Sequence, residues 1–411
     1  MLTPKISVEQ RRARLVARHH LGGPAESVTS AVTAMIALHA TDPVTVYLSA
    51  WARTRIASIA EVDAALYAER EVIRMLGMRR TMFVVPAPLV PVVQRACTDD
   101  VARRLRQGIE RDLEKGGVGD GDAAAWLRDV GEGAVRALAA RGRAFAADLS
   151  ADEPRLRTQL TYAPDKSYGG TANITSRVLM LLSAEGLIVR GHRRGGWASG
   201  QFEWFPAQSW LPGLGDFAGS ADTDAGEGPA GTLASALTAA AARAELARRW
   251  LLAFGPAPAA DLQWWTGWTA GQVKAALAAL PVADVDLDGQ SGITLASDVD
   301  PVEVPAPRAA LLPALDPTPM GWQAREWFLG PHGPTLFDRT GNVGPSAWWE
   351  GRIVGGWAQR SSGEVVFRLL EDVGAEAEAT LAAEAARLEA WLGEARATPR
   401  FRTPLERELT A

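Results

Sequence analysis

Val72-Ile73-Arg74-Met75-Leu76 and Thr81-Met82-Phe83-Val84-Val85, joined by Gly77-Met78-Arg79-Arg80, decide the fold. Both runs are rich in β-branched and large apolar residues, and the joint holds a glycine and two arginines. The stretch therefore reads as a β-hairpin with a basic turn. Upstream, between Ser27 and Leu38, Val28, Val32, Met35 and Ile36 recur at the spacing of one helix face. A second helical stretch runs from Val44 to Arg55, and a third opens at Ser58 with Glu61 three residues on, the pattern of a capping box. Short helices followed by a hairpin predict a winged helix-turn-helix.

The plan recurs downstream. Ile174, Val178, Leu181 and Leu182 share a helical face, with Thr171 or Asn173 as the expected N-cap and Gly186 as the stop. Leu187-Ile188-Val189 then reads as a strand, Arg190 to Gly196 as a turn, and Trp197 to Phe205 as the returning strand. Gly142-Arg-Ala-Phe-Ala-Ala-Asp-Leu149 is echoed by Gly255-Pro-Ala-Pro-Ala-Ala-Asp-Leu262, each after a helical pattern rich in Ala and Leu. We read this as an internal repeat marking the start of a helix-turn-helix turn. Gly213 to Gly231, rich in Gly, Asp, Ser and Pro, reads as a mobile linker. From Pro305 short apolar runs (AALLPAL, EWFLG, TLFD, SAWWEGRIVGGWAQ, EVVFRLL) predict a β-sheet or small barrel. Leu381, Ala385, Leu388 and Leu392 mark a closing helix, followed by a basic tail at Arg396, Arg400 and Arg402.

At 411 residues the chain is long for one core. With 47% hydrophobic and 22% charged residues it is neither a disordered chain nor a collagen-like repeat. One cysteine, Cys97, excludes an internal disulfide and a thiolate metal cluster. No secretory h-region and no apolar run long enough for a membrane helix is present, so a cytoplasmic, soluble protein is expected. Abundant alanine and arginine point to a GC-rich bacterial genome. The net charge of -5 is unevenly spread. Residues 1–200 hold 28 Lys and Arg against 21 Asp and Glu, whereas the remainder holds 15 against 27. A basic front half suits a polyanionic partner.

Few residues offer chemistry. There is no Walker loop, GxGxxG, HExxH or GxSxG, and the five histidines are scattered, so no cofactor and no metal are expected. Asp284 to Gly289 matches half of a calcium loop but has Leu295 where the closing Glu belongs, and it reads better as an acidic hairpin. The densest polar cluster is His39-Ala40-Thr41-Asp42-Pro43. His39 and Thr41 alternate to one side of an extended turn; Asp42 before Pro43 also makes an ordinary N-cap.

The chain resembles the winged-helix DNA glycosylase family of AlkZ and YcaQ. The resemblance rests on LHATDPVTVYLSAWAR, RMLGMRRTMFVVP, AFGPAPAADLQWWTGW, ALLPALDPTPMGWQAREWFLG and GNVGPSAWWEGRIVGGWAQR, and covers nearly the whole chain. It implies an α+β fold with three tandem winged-helix units and a C-terminal β-barrel-like domain in a C-shape. The units would span 1–118, 119–212 and 232–304, with 213–231 as linker and 305–411 as the barrel. It also implies a DNA glycosylase acting on N7- or N3-alkylated purines or crosslinks in double-stranded DNA, as a monomer. The alternative is a non-catalytic winged-helix DNA-binding protein. The family's catalytic signature of Gln, an apolar residue, then Gln or Asp falls on His39, Ala40 and Thr41, and this chain departs at both polar positions. His39, Thr41 and Asp42 are the catalytic candidates. The architecture makes Arg79, Arg80, Arg177, Arg190, Arg193 and Arg194 candidate DNA contacts, with Asn173, Thr175 and Ser176 at a helix start facing a phosphate. Structural roles are expected for Asp316, Arg325 and Asn342, and a core role for Trp197.

Overall fold

The structure, a computed structural model, describes residues 3–56, 58–162, 169–211 and 237–411; the expected linker at 213–231 lies outside them. Along the chain come α1 (Val8–Arg18), α2 (Val28–Ala34), β1 (Leu38–His39), α3 (Pro43–Trp51), α4 (Ile59–Asp63), β2 (Val72–Leu76) and β3 (Met82–Pro86). There follow α5 (Val90–Val93), α6 (Asp99–Lys115), α7 (Ala123–Arg141), α8 (Ala146–Asp152), β4 (Gln159–Tyr162), β5 (Gly170–Asn173), α9 (Thr175–Ala184), β6 (Ile188–Arg193), β7 (Phe202–Pro206) and α10 (Ala207–Trp210). The remainder holds α11 (Ala239–Phe254), α12 (Ala259–Thr266), α13 (Ala270–Ala278), β8 (Val282–Leu287), β9 (Gln290–Leu295) and β10 (Ala309–Leu312). Last are α14 (Glu326–Leu329), α15 (Gly333–Leu336), β11 (Ser346–Trp349), β12 (Arg352–Gln359), β13 (Val365–Leu369), α16 (Ala375–Leu392) and α17 (Pro404–Leu409). Two compact units result: residues 1–73, 81–89 and 243–411 form the first, 74–80 and 90–242 the second.

One local plan occurs three times. A helix leads into a short extended segment, further helices follow, and a hairpin's second strand returns to pair with that segment. In the first copy the segment is β1, antiparallel to β3 with Leu38 opposite Val84 and His39 opposite Phe83. In the second it is Ala144, bridged to Trp204 of β7, and in the third Ala257, bridged to Ile293 of β9. Ala144 and Ala257 are the third residues of the two repeated octapeptides, and α8 and α12 begin at the same place in each, so the sequence repeat is a repeat of structure. The shared aspartate is put to two uses. Asp148 accepts the Phe145 N–H and caps α8, whereas Asp261 reaches across to the backbone N–H groups of Gln323 and Ala324.

The expected elements are recovered with shifted ends. Ser58 and Glu61 form the capping box. Gly289 and Asp288 (φ 91° and 52°) turn the acidic hairpin β8–β9, as an Asp-Gly pair does. Among the described residues no group of His, Cys, Asp or Glu is placed to hold a metal ion, and no helix is long and apolar enough to cross a membrane. Thr171 and Asn173 do not cap α9; both lie in β5, and Ile174 occupies the cap with no side-chain bond. The Arg190–Gly196 turn is also corrected, since β6 runs to Arg193. Trp197 sits half-buried in the turn between β6 and β7 rather than in a core.

The expected barrel is an open sheet. Among the described residues the C-terminal region carries four strands in the order β10-β11-β12-β13, which leaves β10 and β13 as edges. EWFLG and TLFD supply no strands: Glu326–Leu329 form α14 ahead of Gly330, and Pro334, in the first turn of α15, draws Thr335 and Leu336 into that helix. The closing helix α16 buries Leu381, Ala385, Leu388 and Leu392 as expected. Asn342 holds its own turn through Asp338, and Arg325 lies over the rings of Trp264 and Phe337.

The first unit encloses an aromatic core, with Trp322 near Phe254, Trp327 and Phe328 (centroids 5.2–5.5 Å apart). Beside it lies a polar chain with every proton assignable. His19 Nε2 faces the Ala253 carbonyl at 3.0 Å and so donates, which leaves Nδ1 to accept from the Thr318 hydroxyl. That hydroxyl accepts in turn from Arg53, whose guanidinium grips both oxygens of Asp316 at 2.7 and 2.8 Å. Asp316 also accepts from Ser49 and from the Thr318 N–H. Both partners of this ion pair are fully buried, so its value depends on these hydrogen bonds; of the guanidinium, only Nε makes none among the described residues.

Candidate functional site

The His39-Ala40-Thr41-Asp42 turn forms because the chain is reversed just before it and capped just after. Ile36 has φ 64°, a left-handed conformation rarely adopted by a β-branched residue, which ends α2 short of Leu38. β1 then pairs with β3, and the Ala40 N–H donates to the Met82 carbonyl at 2.8 Å. Asp42 caps α3 through Oδ1, which accepts from the Val44 N–H at 3.1 Å, and Pro43 supplies the first helical residue.

The turn brings His39 and Thr41 together. The Thr41 N–H points at His39 Nδ1 over 3.4 Å, a long contact, which places the proton of the neutral ring on Nε2. The imidazole is 9% exposed and packs edge-on against Phe83, with centroids 5.5 Å apart. Thr41 is half-buried. Asp42 is otherwise engaged: Oδ2 accepts the backbone N–H of Arg400 at 2.9 Å, so both carboxylate oxygens are held by main-chain donors. The arrangement offers an imidazole and a hydroxyl residue on a rigid turn, with the carboxylate anchored behind.

In the second unit the basic candidates divide. Arg79 and Arg80 are exposed at the tip between β2 and β3, in consecutive left-handed conformations with φ 52° and 60°. Arg194 is exposed and stacks 3.9 Å from the Phe145 ring. Arg190 and Arg193 flank Phe202 at 5.7 and 5.6 Å, and burial lowers the Arg190 pKa below its usual range. Arg177 is paired with Asp112 at 2.7 Å. The Thr175 hydroxyl donates to the Leu156 carbonyl, while Ser176 and Asn173 are exposed at the start of α9.

Two residues escaped the sequence reading. Arg74 lies 4.7 Å from the same Phe202 ring and is 4% exposed; a charge in the middle of the apolar VIRML run was its signal. Arg400 reaches the site only through Asp42, 358 residues away, and no local pattern reports such a contact.

Comparison with known proteins adds a family. A family model described as DNA glycosylase AlkZ-like matches residues 32–391. A solved structure, Streptomyces sahachiroi DNA glycosylase AlkZ, is similar with a TM-score of 0.66, covering 94% of this chain and 97% of that one at 18% identity, a likeness of fold. Among curated proteins none matches.

Proposed function

The chain belongs to the AlkZ-like DNA glycosylase family, and from that premise we propose that it excises N7- or N3-alkylated purines from duplex DNA and unhooks crosslinks made through such adducts. The supporting observation is the His39-Thr41 turn, which lies inside the matched segment; the sequence resemblance puts the family signature there. An alkylpurine of this kind is cationic. The C1′–N9 bond breaks with its electron pair passing to the base, which leaves neutral and needs no general acid. A water oxygen then bonds to C1′ of the oxocarbenium-like sugar. His39 orients that water and takes its proton on the imidazole, the ring that the Thr41 N–H contacts. Thr41 holds the same water, and Asp42 fixes the turn. No lysine lies in this segment to form a Schiff base, so we read a monofunctional hydrolase without lyase activity.

We read each of the three repeated helix–hairpin plans as a winged helix, within the units 1–118, 119–212 and 232–304. The return of each hairpin to the short segment after the first helix supports this. Arg79, Arg80, Arg193 and Arg194, with Asn173 and Ser176, then serve as contacts to the DNA backbone. The protein acts as a monomer in the cytoplasm, in general repair or in resistance to a genotoxin.

The test incubates wild type and His39→Ala with duplex DNA carrying an N7-alkylguanine and measures free modified base and abasic sites in single turnovers. Release by the wild type, slowed about 10²–10⁴-fold in the variant with duplex affinity retained, is expected. No release from small, bulky or crosslinking adducts, with duplex binding intact, would replace this reading with a DNA binder that has lost its chemistry.

A further inference from the structure

The basic tail that the sequence singles out is put to two kinds of work. Arg396 is spent on carbonyls: its guanidinium donates to Ser361, Ser362, Gly393 and Ala395. Arg402 is spent on Glu406, a carboxylate only 2% exposed. Arg400 differs from both. Its backbone is pinned to the candidate turn through Asp42 Oδ2, while its side chain is exposed and lies beside the Phe401 ring at 5.9 Å. Among the described residues its guanidinium pairs with no carboxylate.

We propose that Arg400 is a DNA-phosphate contact of the candidate site, presented to the backbone of the nucleotide that the His39-Thr41 turn engages. The inference rests on the proposed function and deepens it by naming how the strand is held there. Asp42 is the coupling element. It is 5% exposed and both its oxygens accept main-chain N–H groups, one from α3 and one from Arg400, so the tail and the turn are held as one piece. An arginine stem extends several ångströms beyond its own backbone, and here it starts from a main chain fixed to the turn and stays exposed. An exposed guanidinium keeps its charge and its fork of donors for a phosphodiester, whose two free oxygens match that fork. Neutralising one phosphate releases a condensed counterion, and the salt dependence of binding reads that release.

Binding of a fluorescein-labelled duplex containing an abasic-site analogue is measured by anisotropy over a series of KCl concentrations. Arg400→Ala weakens binding and makes the slope of log K against log salt shallower by about 0.9, whereas Arg400→Lys keeps the wild-type slope. A series of duplexes with one methylphosphonate at each linkage then places the contact. A linkage next to the abasic position should cost wild type affinity and cost Arg400→Ala none. An unchanged slope in Arg400→Ala, or a matched linkage remote from the abasic position, overturns the proposal. Base release by the wild type is read separately. Normal release with an unchanged slope removes this contact alone, while a shallower slope without any release removes the proposed chemistry and leaves the contact standing.

Discussion

Thr41 contributes to the turn by two separable groups. Its N–H meets the His39 ring at 3.4 Å and belongs to the main chain, so it survives any substitution that keeps the backbone. Its hydroxyl is the group assigned to the attacking water. Thr41→Val is nearly isosteric and β-branched, and removes the hydroxyl alone. We expect single-turnover base release to fall at least about 10-fold, within the range of acid–base and water-orienting groups, with the thermal midpoint and duplex affinity retained. An unchanged rate would assign the water to His39 alone. Asp42 is a different case, because Oδ1 caps α3 and Oδ2 holds the tail. Removing an N-cap acceptor alone costs about 1 kcal/mol, so a slower Asp42→Ala variant would report stability and position together and does not isolate chemistry. The substitution of choice at this turn is therefore the one at Thr41.

At the scale of the element, the β2–β3 hairpin stores strain where it presents charge. Arg79 and Arg80 both hold φ near 55°, at about 1 kcal/mol or more for each non-glycine residue. Glycine removes that strain but adds freedom to the unfolded chain, worth about 0.5–1 kcal/mol each. The Arg79→Gly/Arg80→Gly pair should thus melt at or above the wild-type temperature. Its salt slope for duplex binding should be shallower by about 2, near 0.9 for each lost contact. A lower melting temperature would show that the two side chains stabilise the turn, and an unchanged slope would remove them from the DNA interface. Much at this scale was legible in the sequence. Helical spacing located Val28 and Val32, Ser58 and Glu61 announced their capping box, and the octapeptide repeat located two of the three bridging segments. What was missed depends on competition or distance. EWFLG and TLFD have strand-like composition, but the first forms α14, ending at Gly330, and the Gly333-Pro334 pair opens α15 through Leu336. Ile36 reverses the chain in a conformation its side chain disfavours, which only the surrounding packing can impose. Of the candidate site, His39 and Thr41 were legible because they adjoin, whereas Arg400 arrives from the other end of the chain.

At the scale of the whole molecule, stability and pH are linked through a histidine outside the candidate site. His19 is buried entirely, and its pKa is pushed well below 6.5, first by burial and then by the adjacent Arg53 cation. The Ala253 carbonyl, which accepts from Nε2, pulls weakly the other way. In the unfolded chain the same imidazole titrates near 6.5. Above that pH the ring is neutral in both states and no penalty arises. Below it the unfolded chain binds a proton that the folded protein refuses, so stability falls with pH until the depressed folded pKa is reached. The slope approaches about 1.4 kcal/mol per pH unit from this group alone. His20, whose pKa burial also lowers, adds to the same trend. The contribution of His19 is isolated by comparison with His19→Gln, which keeps a donor for the Ala253 carbonyl and cannot titrate. The variant should be less stable near neutrality, because the Thr318 and Arg53 hydrogen bonds lose their partner geometry. As pH falls below about 6.5 its urea midpoint should decline less steeply than the wild type's, so the two curves converge. Parallel curves would mean that His19 takes up its proton over the same pH range folded and unfolded, so that burial does not depress its pKa.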